Sequence, residues 1–457
     1  MSETAALPLR IAIIGAGPAG FFAAAALLGQ SATPVTVDLF DALPTPFGLV
    51  RFGVAPDHAK IKSVTRTFEK TAADPRFRFL GNVTVGRDVT RAELLACYDR
   101  VLYTVGAQSD RKLGVEGEEL DGSFSATEFV AWYNGHPDFA ERTFDLSCSA
   151  VVIVGVGNVA MDVARILAKT PDELHGTDIA AHALEALRES RIRDIYILAR
   201  RGPAQAKFTN PEVKEFGELA SAVPQVIEAE LELDEVSQAQ ADADKTTGRN
   251  IETLRSFIGR TAEAEQRRVH FRFCLSPTAL LGQEGRLTGV RVEQNALTPN
   301  GSGDVSARGT GNHSELEAGL LFRSVGYKGT PLEGLPFDAR NGVIPNEAGR
   351  ITQAADDQPA SGREYVAGWI KRGPSGVIGT NKPCAVESAE ALLADAASAP
   401  TPAATGDIDA LLAARGVRVV TFQDWKQLDA AELADGAAAG RPRVKLASRA
   451  AMLARLG

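Results

Sequence analysis

Apolar and polar positions along the chain fall into a pattern that occurs twice. Residues Leu9–Ile14 form a short, largely apolar run of strand length. It ends directly in Gly15-Ala16-Gly17-Pro18-Ala19-Gly20, and the alanine-rich stretch 21–28 that follows predicts a helix. A second strand, Val35–Phe40, then stops at Asp41. The same succession returns at Ala150–Val154, with Gly155-Val156-Gly157-Asn158-Val159-Ala160 and a helical run over 161–169. An amphipathic helix over 179–188 leads to a strand over 194–199, which ends at Arg200-Arg201-Gly202-Pro203. Beyond these two units there is no internal repeat.

Further strand-length runs lie at 77–85, 101–105, 320–325 and 365–369. Residues 269–275 and 287–292 alternate apolar and polar positions, as half-exposed antiparallel strands do. Residues 43–58 hold too much proline and glycine for helix or regular strand and predict a loop that wraps a bound cofactor. Residues 59–72 read as one helix, with Ile61, Val64 and Phe68 on one face and Lys60, Lys62, Arg66 and Lys70 elsewhere. Residues 227–268 are polar with short helical segments. A small-residue and proline linker at 398–406 precedes predicted helices over 408–415 and 430–433, and Arg441, Arg443 and Lys445 add positive charge to a tail expected to cap the first domain.

Strand, glycine turn and helix in that order suit a dinucleotide. The glycines permit a tight turn and close backbone approach to a pyrophosphate, while the first N–H groups of the helix carry partial positive charge. An acid about 20 residues further on, here Asp41, is the expected partner of ribose hydroxyls. The second turn carries Ala160 in the third glycine position, an accepted variant. At the end of the following strand, paired guanidiniums suit the extra 2′-phosphate of NADP, where an NAD site would carry an acid. Arg200 and Arg201 therefore predict NADP(H).

Composition narrows the alternatives. At 457 residues the chain predicts two or three domains. A formal charge of −9 gives no global reason to expect nucleic acid or an anionic membrane as partner. Cys97, Cys148, Cys274 and Cys384 are far apart in sequence, with no CxxC and no His-Cys cluster of ligand spacing. Neither a redox dithiol, an iron-sulfur cluster nor another metal centre is expected. The N-terminal residues lack the charged and apolar regions of an export signal, and no stretch approaches the length of a membrane span. A cytoplasmic protein is the expectation.

LPTPFGLVRFGVAPDH, GNVAMDVARIL, RRGP, VGYKG and GWIKRGPSGVIGTNK together resemble the NADPH-ferredoxin reductases of the adrenodoxin reductase type, particularly the actinobacterial ones. The resemblance runs from about residue 9 through GRPRVKLAS at 440–448. It implies an α/β fold of two Rossmann-like dinucleotide-binding domains in the three-layer, glutathione-reductase-like arrangement. The FAD domain would be discontinuous, formed by 1–108 and 327–457, with the NADP domain at 109–326. It also implies an FAD enzyme that accepts a hydride from NADPH and passes single electrons to a ferredoxin, working as a monomer.

By matching motifs, FAD would be met by Gly15, Gly17, Ala19, Gly20, Asp41, Leu49, Val85, Trp369, Gly376, Val377 and Ile378. NADP would be met by Gly157, Asn158, Val159, Ala160, Arg200, Arg201, Glu212 and Gly376. Asp41 departs from the family's usual Glu by one methylene, and Cys384 carries no assigned role. Glycine at 376 would leave room for nicotinamide, and Trp369, just before that turn, would contact flavin. The N–H groups opening the helix after 373–376 would face the flavin pyrimidine edge. His58, at the end of the wrapping loop, and Glu215, on a short helical turn, form the candidate catalytic pair, with an orienting and proton-supplying role. Lys60, Lys62, Arg66, Lys371 and Arg372 are the candidate dock for an acidic ferredoxin. The competing classes are a flavin monooxygenase, a disulfide reductase, an NADPH sensor and an electron-transfer subunit. A disulfide reductase would need the dithiol this chain lacks, and subunits of the last kind often carry their own cluster.

Overall fold

The computed structural model describes residues 7–301, 303–352, 361–398 and 404–457. Its main strands gather into two sheets. The first runs, edge to edge, Asn346–Glu347, Arg350–Ile351, Glu364–Val366, Arg100–Tyr103, Leu9–Ile14, Val35–Phe40 and Phe77–Leu80. The last five of these are parallel. The second runs Ser123–Ser125, Leu320–Arg323, Ala150–Val154, Asp194–Leu198, Arg267–Arg272 and Ala222–Val226, and is parallel throughout. Fully buried strands in a parallel sheet need apolar side chains on both faces, which is why Ile11 to Ile13 and Val151 to Ile153 are wholly enclosed. A three-stranded antiparallel sheet, Leu275–Gln283, Arg286–Pro299 and Val305–Glu317, projects from the second layer.

Two chain crossings connect the sheets, and they pair with each other. Ser109–Asp110 and Tyr327–Lys328 form a short antiparallel ribbon. A second connection comes from the tail. Helix Phe422–Ala438 packs Phe422 and Trp425 against Phe47 of the wrapping loop. Its fully buried Glu432 accepts from Arg51 at 3.0 Å, from Arg443 at 2.9 Å and from the Leu446 N–H at 2.9 Å. Residues 441–449 then reach the other layer. Lys445 pairs with Asp178 at 3.1 Å and donates to Asn134 at 3.2 Å, Arg441 donates to the Ile179 carbonyl, and Arg449 pairs with Asp138. The tail thus straps both layers rather than capping one.

Several elements differ from the sequence expectation. The helix expected over 59–72 is two pieces, Ala59–Lys62 and Thr65–Ala72, because the Ser63 hydroxyl donates to the Lys60 carbonyl at 2.6 Å and tightens the turn there. The strand expected over 77–85 ends at Leu80, where Gly81 pairs instead with Val420. The strand at Arg267–Arg272 is parallel, not antiparallel: its polar positions are occupied by ion pairs of Arg268 and His270 with Asp194 and of Arg272 with Glu230. Trp369 opens a short helix, Trp369–Arg372, rather than ending a strand. The tail segment expected over 430–433 belongs to the 17-residue helix Phe422–Ala438. Part of the predicted linker, 399–403, lies outside the described residues.

Candidate functional site

Each glycine turn delivers a helix whose N-terminus has no side-chain cap. The helices Arg91–Cys97, Ala126–Tyr133 and Pro171–His175 are closed by Thr or Ser capping boxes. Helices Pro18–Leu28 and Asn158–Ala168 begin instead after Gly17 and Gly157, and no side chain among the described residues accepts from their first N–H groups. Orphan N–H groups of this kind are an anion site in waiting. The space around the glycines agrees. A Cβ on Gly15 would lie 2.8 Å from the Thr104 carbonyl oxygen, and one on Gly155 would strike that of Ser324. On Gly17 or Gly157 it would meet nothing within 4 Å. Packing within the protein therefore explains the first glycine of each turn but not the second, which fits a phosphate lying against that backbone.

Around the first turn, Gly48 abuts Gly17, so the 43–58 loop folds back over it. The Asp41 carboxylate accepts from the Ala16 N–H at 2.8 Å and the Leu43 N–H at 2.9 Å, which joins strand end, glycine turn and loop. Burial pushes its pKa up to about 6 against those two bonds. Each carboxylate oxygen keeps a further lone pair for a ribose hydroxyl. The Thr45 hydroxyl is buried with no hydrogen-bond partner among the described residues, and Leu49 and Val377 are 44% and 57% exposed. An unpaired hydroxyl and uncovered apolar side chains suit a bound flavin nucleotide. Val85 lies half-buried two residues beyond Val83, whose N–H bonds the Asp41 carbonyl. Ala19 touches the Gly368 turn, Gly368 donates to Cys384 Sγ at 3.3 Å, and Trp369 stacks on Tyr327 with centroids 5.6 Å apart. The turn at Gly376 has φ +81°, and a Cβ there would strike the Thr380 hydroxyl. Backbone geometry alone thus requires glycine at 376, before any nicotinamide is considered. The 3-10 turn Ile378–Thr380 then leads into helix Asn381–Ser398.

At the second turn, Asn158 accepts from the Thr209 N–H at 2.9 Å and so holds the start of the short helix Asn210–Glu215, which carries Glu212 and Glu215. Val159 is half-buried and Ala160 fully buried under the helix. Arg200 is exposed, whereas Arg201 pairs with Asp304 at 2.8 Å.

His58 and Glu215 meet, with His58 Nε2 3.2 Å from Glu215 Oε2. Sequence reasoning missed what surrounds them. Arg165, with no exposed surface, contacts Asp57 at 2.8 Å, Asp162 at 2.7 Å, and Glu212 and Glu215 each at 3.2 Å. Lys169 pairs with Asp57 at 2.7 Å. Burial alone would raise the Asp57 pKa, but Arg165 and Lys169 hold it well below the ordinary range. Burial and the nearby Asp162 push Glu212 up to about 7, against the charges of Arg165 and His58. Burial disfavours protonated His58, yet its bond to Glu215 and the nearby charges of Asp162 and Glu212 together outweigh that and raise its pKa. The available signal was one arginine inside the apolar run MDVARILA.

The expected basic dock is partly dismantled. Lys60 and Arg66 are exposed. Lys62 is turned inward onto Asp178 at 2.6 Å, Lys371 pairs with Glu387 and Ser388, and Arg372 holds Ser375, Thr380 and Asn381. Those three cations hold the protein's own loops and helices in place.

Two uncapped glycine turns with a polar cluster between the layers define a pyridine-nucleotide oxidoreductase. Residues 9–216 match the family model described as pyridine nucleotide-disulphide oxidoreductase. The chain is 48% identical to NADPH-ferredoxin reductase FprA of Mycobacterium tuberculosis, over 98% of each chain. It is 39% identical to the mitochondrial NADPH:adrenodoxin oxidoreductase of Arabidopsis thaliana, over 99% of this chain and 96% of that one. The solved structure of Mycobacterium tuberculosis FprA in complex with NADPH superposes with a TM-score of 0.93 at 47% identity, covering 99% of this chain and 100% of that one. The chain belongs to the NADPH-ferredoxin reductase family.

Proposed function

We propose that this protein is an FAD-dependent NADPH-ferredoxin oxidoreductase, with FAD on 1–108 plus 327–457 and NADP(H) on 109–326. The observation that carries it is the pair of open glycine turns, one of which is followed at the next strand end by Arg200 and Arg201. The ribbon of Ser109–Asp110 with Tyr327–Lys328 supports that division of the chain. When bound, the flavin supplies the conversion of a two-electron hydride donor into successive one-electron deliveries.

The chain's own contribution is alignment and charge. The N–H groups after Gly17 and Gly157 would hold the two pyrophosphates, and Asp41 would hold a ribose. Arg200 and Arg201 select the 2′-phosphate. His58 and Glu215, fixed by Arg165, would orient the bound cofactors and supply a proton. A small acidic iron-sulfur protein docks on exposed cations such as Lys60 and Arg66. No helix among the described residues is long and apolar enough to cross a membrane. A cytoplasmic monomer is the working reading.

The test is a visible spectrum of the purified protein followed by reduction of a ferredoxin with NADPH and with NADH. A yellow protein that prefers NADPH is expected. A colourless protein that cannot be reconstituted with FAD, or one that leaves iron-sulfur acceptors oxidised, would sink the reading.

Two milder predictions concern the polar cluster. His58→Gln should slow flavin reduction by less than about tenfold, because transfer between facing rings depends on alignment more than on acid-base chemistry. Stopped-flow rates equal to wild type would refute a role for His58. Glu212 holds its proton more tightly in the folded chain, at about 7, than its ordinary value of about 4.3. Its stabilising contribution is therefore complete below that ordinary value and lost as pH rises through about 7. Glu212→Gln mimics the protonated form, so its Tm should exceed that of wild type more at about pH 8 than at about pH 5. Equal differences at both pH values would contradict this.

A further inference from the structure

The cluster around His58 has more negative charge than its fixed cations match. Asp57, Asp162, Glu212 and Glu215 supply four carboxylates, and Arg165 and Lys169 supply the two cations bound to them. Three of its side chains also have donor atoms that nearly converge. His58 Nε2 lies 3.2 Å from Glu215 Oε2 and 3.9 Å from Glu212 Oε2, and the three ligand atoms all fall within 4.8 Å of one another. A tetrahedral zinc ion, with bonds of about 2.0–2.1 Å, needs ligand atoms about 3.3 Å apart, so the spacing is within a small side-chain movement of coordination.

We propose that His58, Glu212 and Glu215 form a site for a borderline divalent cation, with Zn2+ the best match, and that its occupation inhibits the reductase. One imidazole and two carboxylates make a nitrogen-oxygen donor set that suits zinc better than magnesium or calcium, which take oxygen ligands. Three protein ligands leave the fourth position open, as in exchangeable zinc sites. Arg165 offers no lone pair and serves as the scaffold that aims both carboxylates at the imidazole. Glu215, with its side chain 36% exposed, provides the way in, while Glu212 at 11% and His58 at 12% form the enclosed side. The fully buried Tyr133 hydroxyl, which feels the charges of Asp162, Arg165 and Asp57, has no hydrogen-bond partner among the described residues. A bound cation would displace the hydrogen from His58 Nε2 to solvent, replace its bond to Glu215 and fix the ring away from its orienting role. The inhibitory half of the proposal rests on the reading of His58 as an orienting group beside the flavin, but the binding half does not.

The experiment is equilibrium dialysis of the purified holoenzyme against Zn2+, with metal analysis, in parallel with NADPH-driven ferricyanide turnover. One zinc per chain is expected, and turnover should fall in step with occupancy. His58→Gln and Glu215→Gln should each weaken zinc binding by at least about tenfold. Replacing the exposed His313 with Gln should leave both readouts unchanged. Zinc that stays bound in both site variants, or is absent from the dialysed wild type, would overturn the site. Zinc bound at this site with undiminished turnover would overturn the inhibition. Dialysis needs no turnover, so an enzyme inactive toward NADPH would fail the functional reading without touching the binding result.

Discussion

Gly17→Ala should produce a protein that folds and stays colourless. Gly17 has φ −84° and ψ −173°, a conformation open to any residue, and a Cβ there meets nothing within 4 Å among the described residues. The melting temperature of the apoprotein should therefore match that of the wild-type apoprotein. The methyl group would nonetheless occupy the surface against which the FAD pyrophosphate lies, and it would lengthen charge-assisted bonds worth about 1.5–3 kcal/mol each. With two such bonds weakened, a loss of FAD affinity of about 100-fold or more is expected. Gly20→Ala is the contrasting case, because its Cβ would strike the Gly15 carbonyl oxygen and destabilise the protein with or without flavin. Flavin retained by Gly17→Ala at wild-type occupancy would remove the pyrophosphate from this turn.

The second large effect is on nucleotide choice. Arg201→Ala should weaken NADPH binding by about 10- to 150-fold, the range expected for one charge-assisted bond of about 1.5–3 kcal/mol, and should leave NADH use nearly unchanged. In the structure Arg201 is held by Asp304 at 2.8 Å and by the Val305 carbonyl at 3.3 Å, so its guanidinium is already positioned at the strand end. Asp304 is 43% exposed, and losing this partner should cost little stability. Steady-state titration with both nucleotides decides it: an unaltered preference for NADPH would show that the pair does not read the 2′-phosphate.

The glycine turns were legible because local rules agree there. Strand, turn and helix are each short-range features, and an acid or an arginine pair at the next strand end completes them within about 50 residues. The polar cluster could not be read that way. Asp57 and Arg165 lie in different sheet layers and meet only when those layers close on each other, and a buried arginine is indistinguishable in sequence from a surface one. The same blindness turned Lys62 into a candidate dock, since nothing near it in sequence announces Asp178. Alternation over 269–275 suggested a solvated face, but Asp194 and Glu230 cover its polar positions. Period alone cannot tell water from an ion partner.

Lys62 and Lys445, drawn from opposite ends of the chain, converge on the one carboxylate of Asp178 and on Asn134. A seam built from enclosed charges has no half-open form: parting it slightly would strand two ammonium groups with neither a counterion nor full hydration. Heating should therefore leave the two layers docked until both melt together, so a molecule with four separate hydrophobic clusters would give one calorimetric peak.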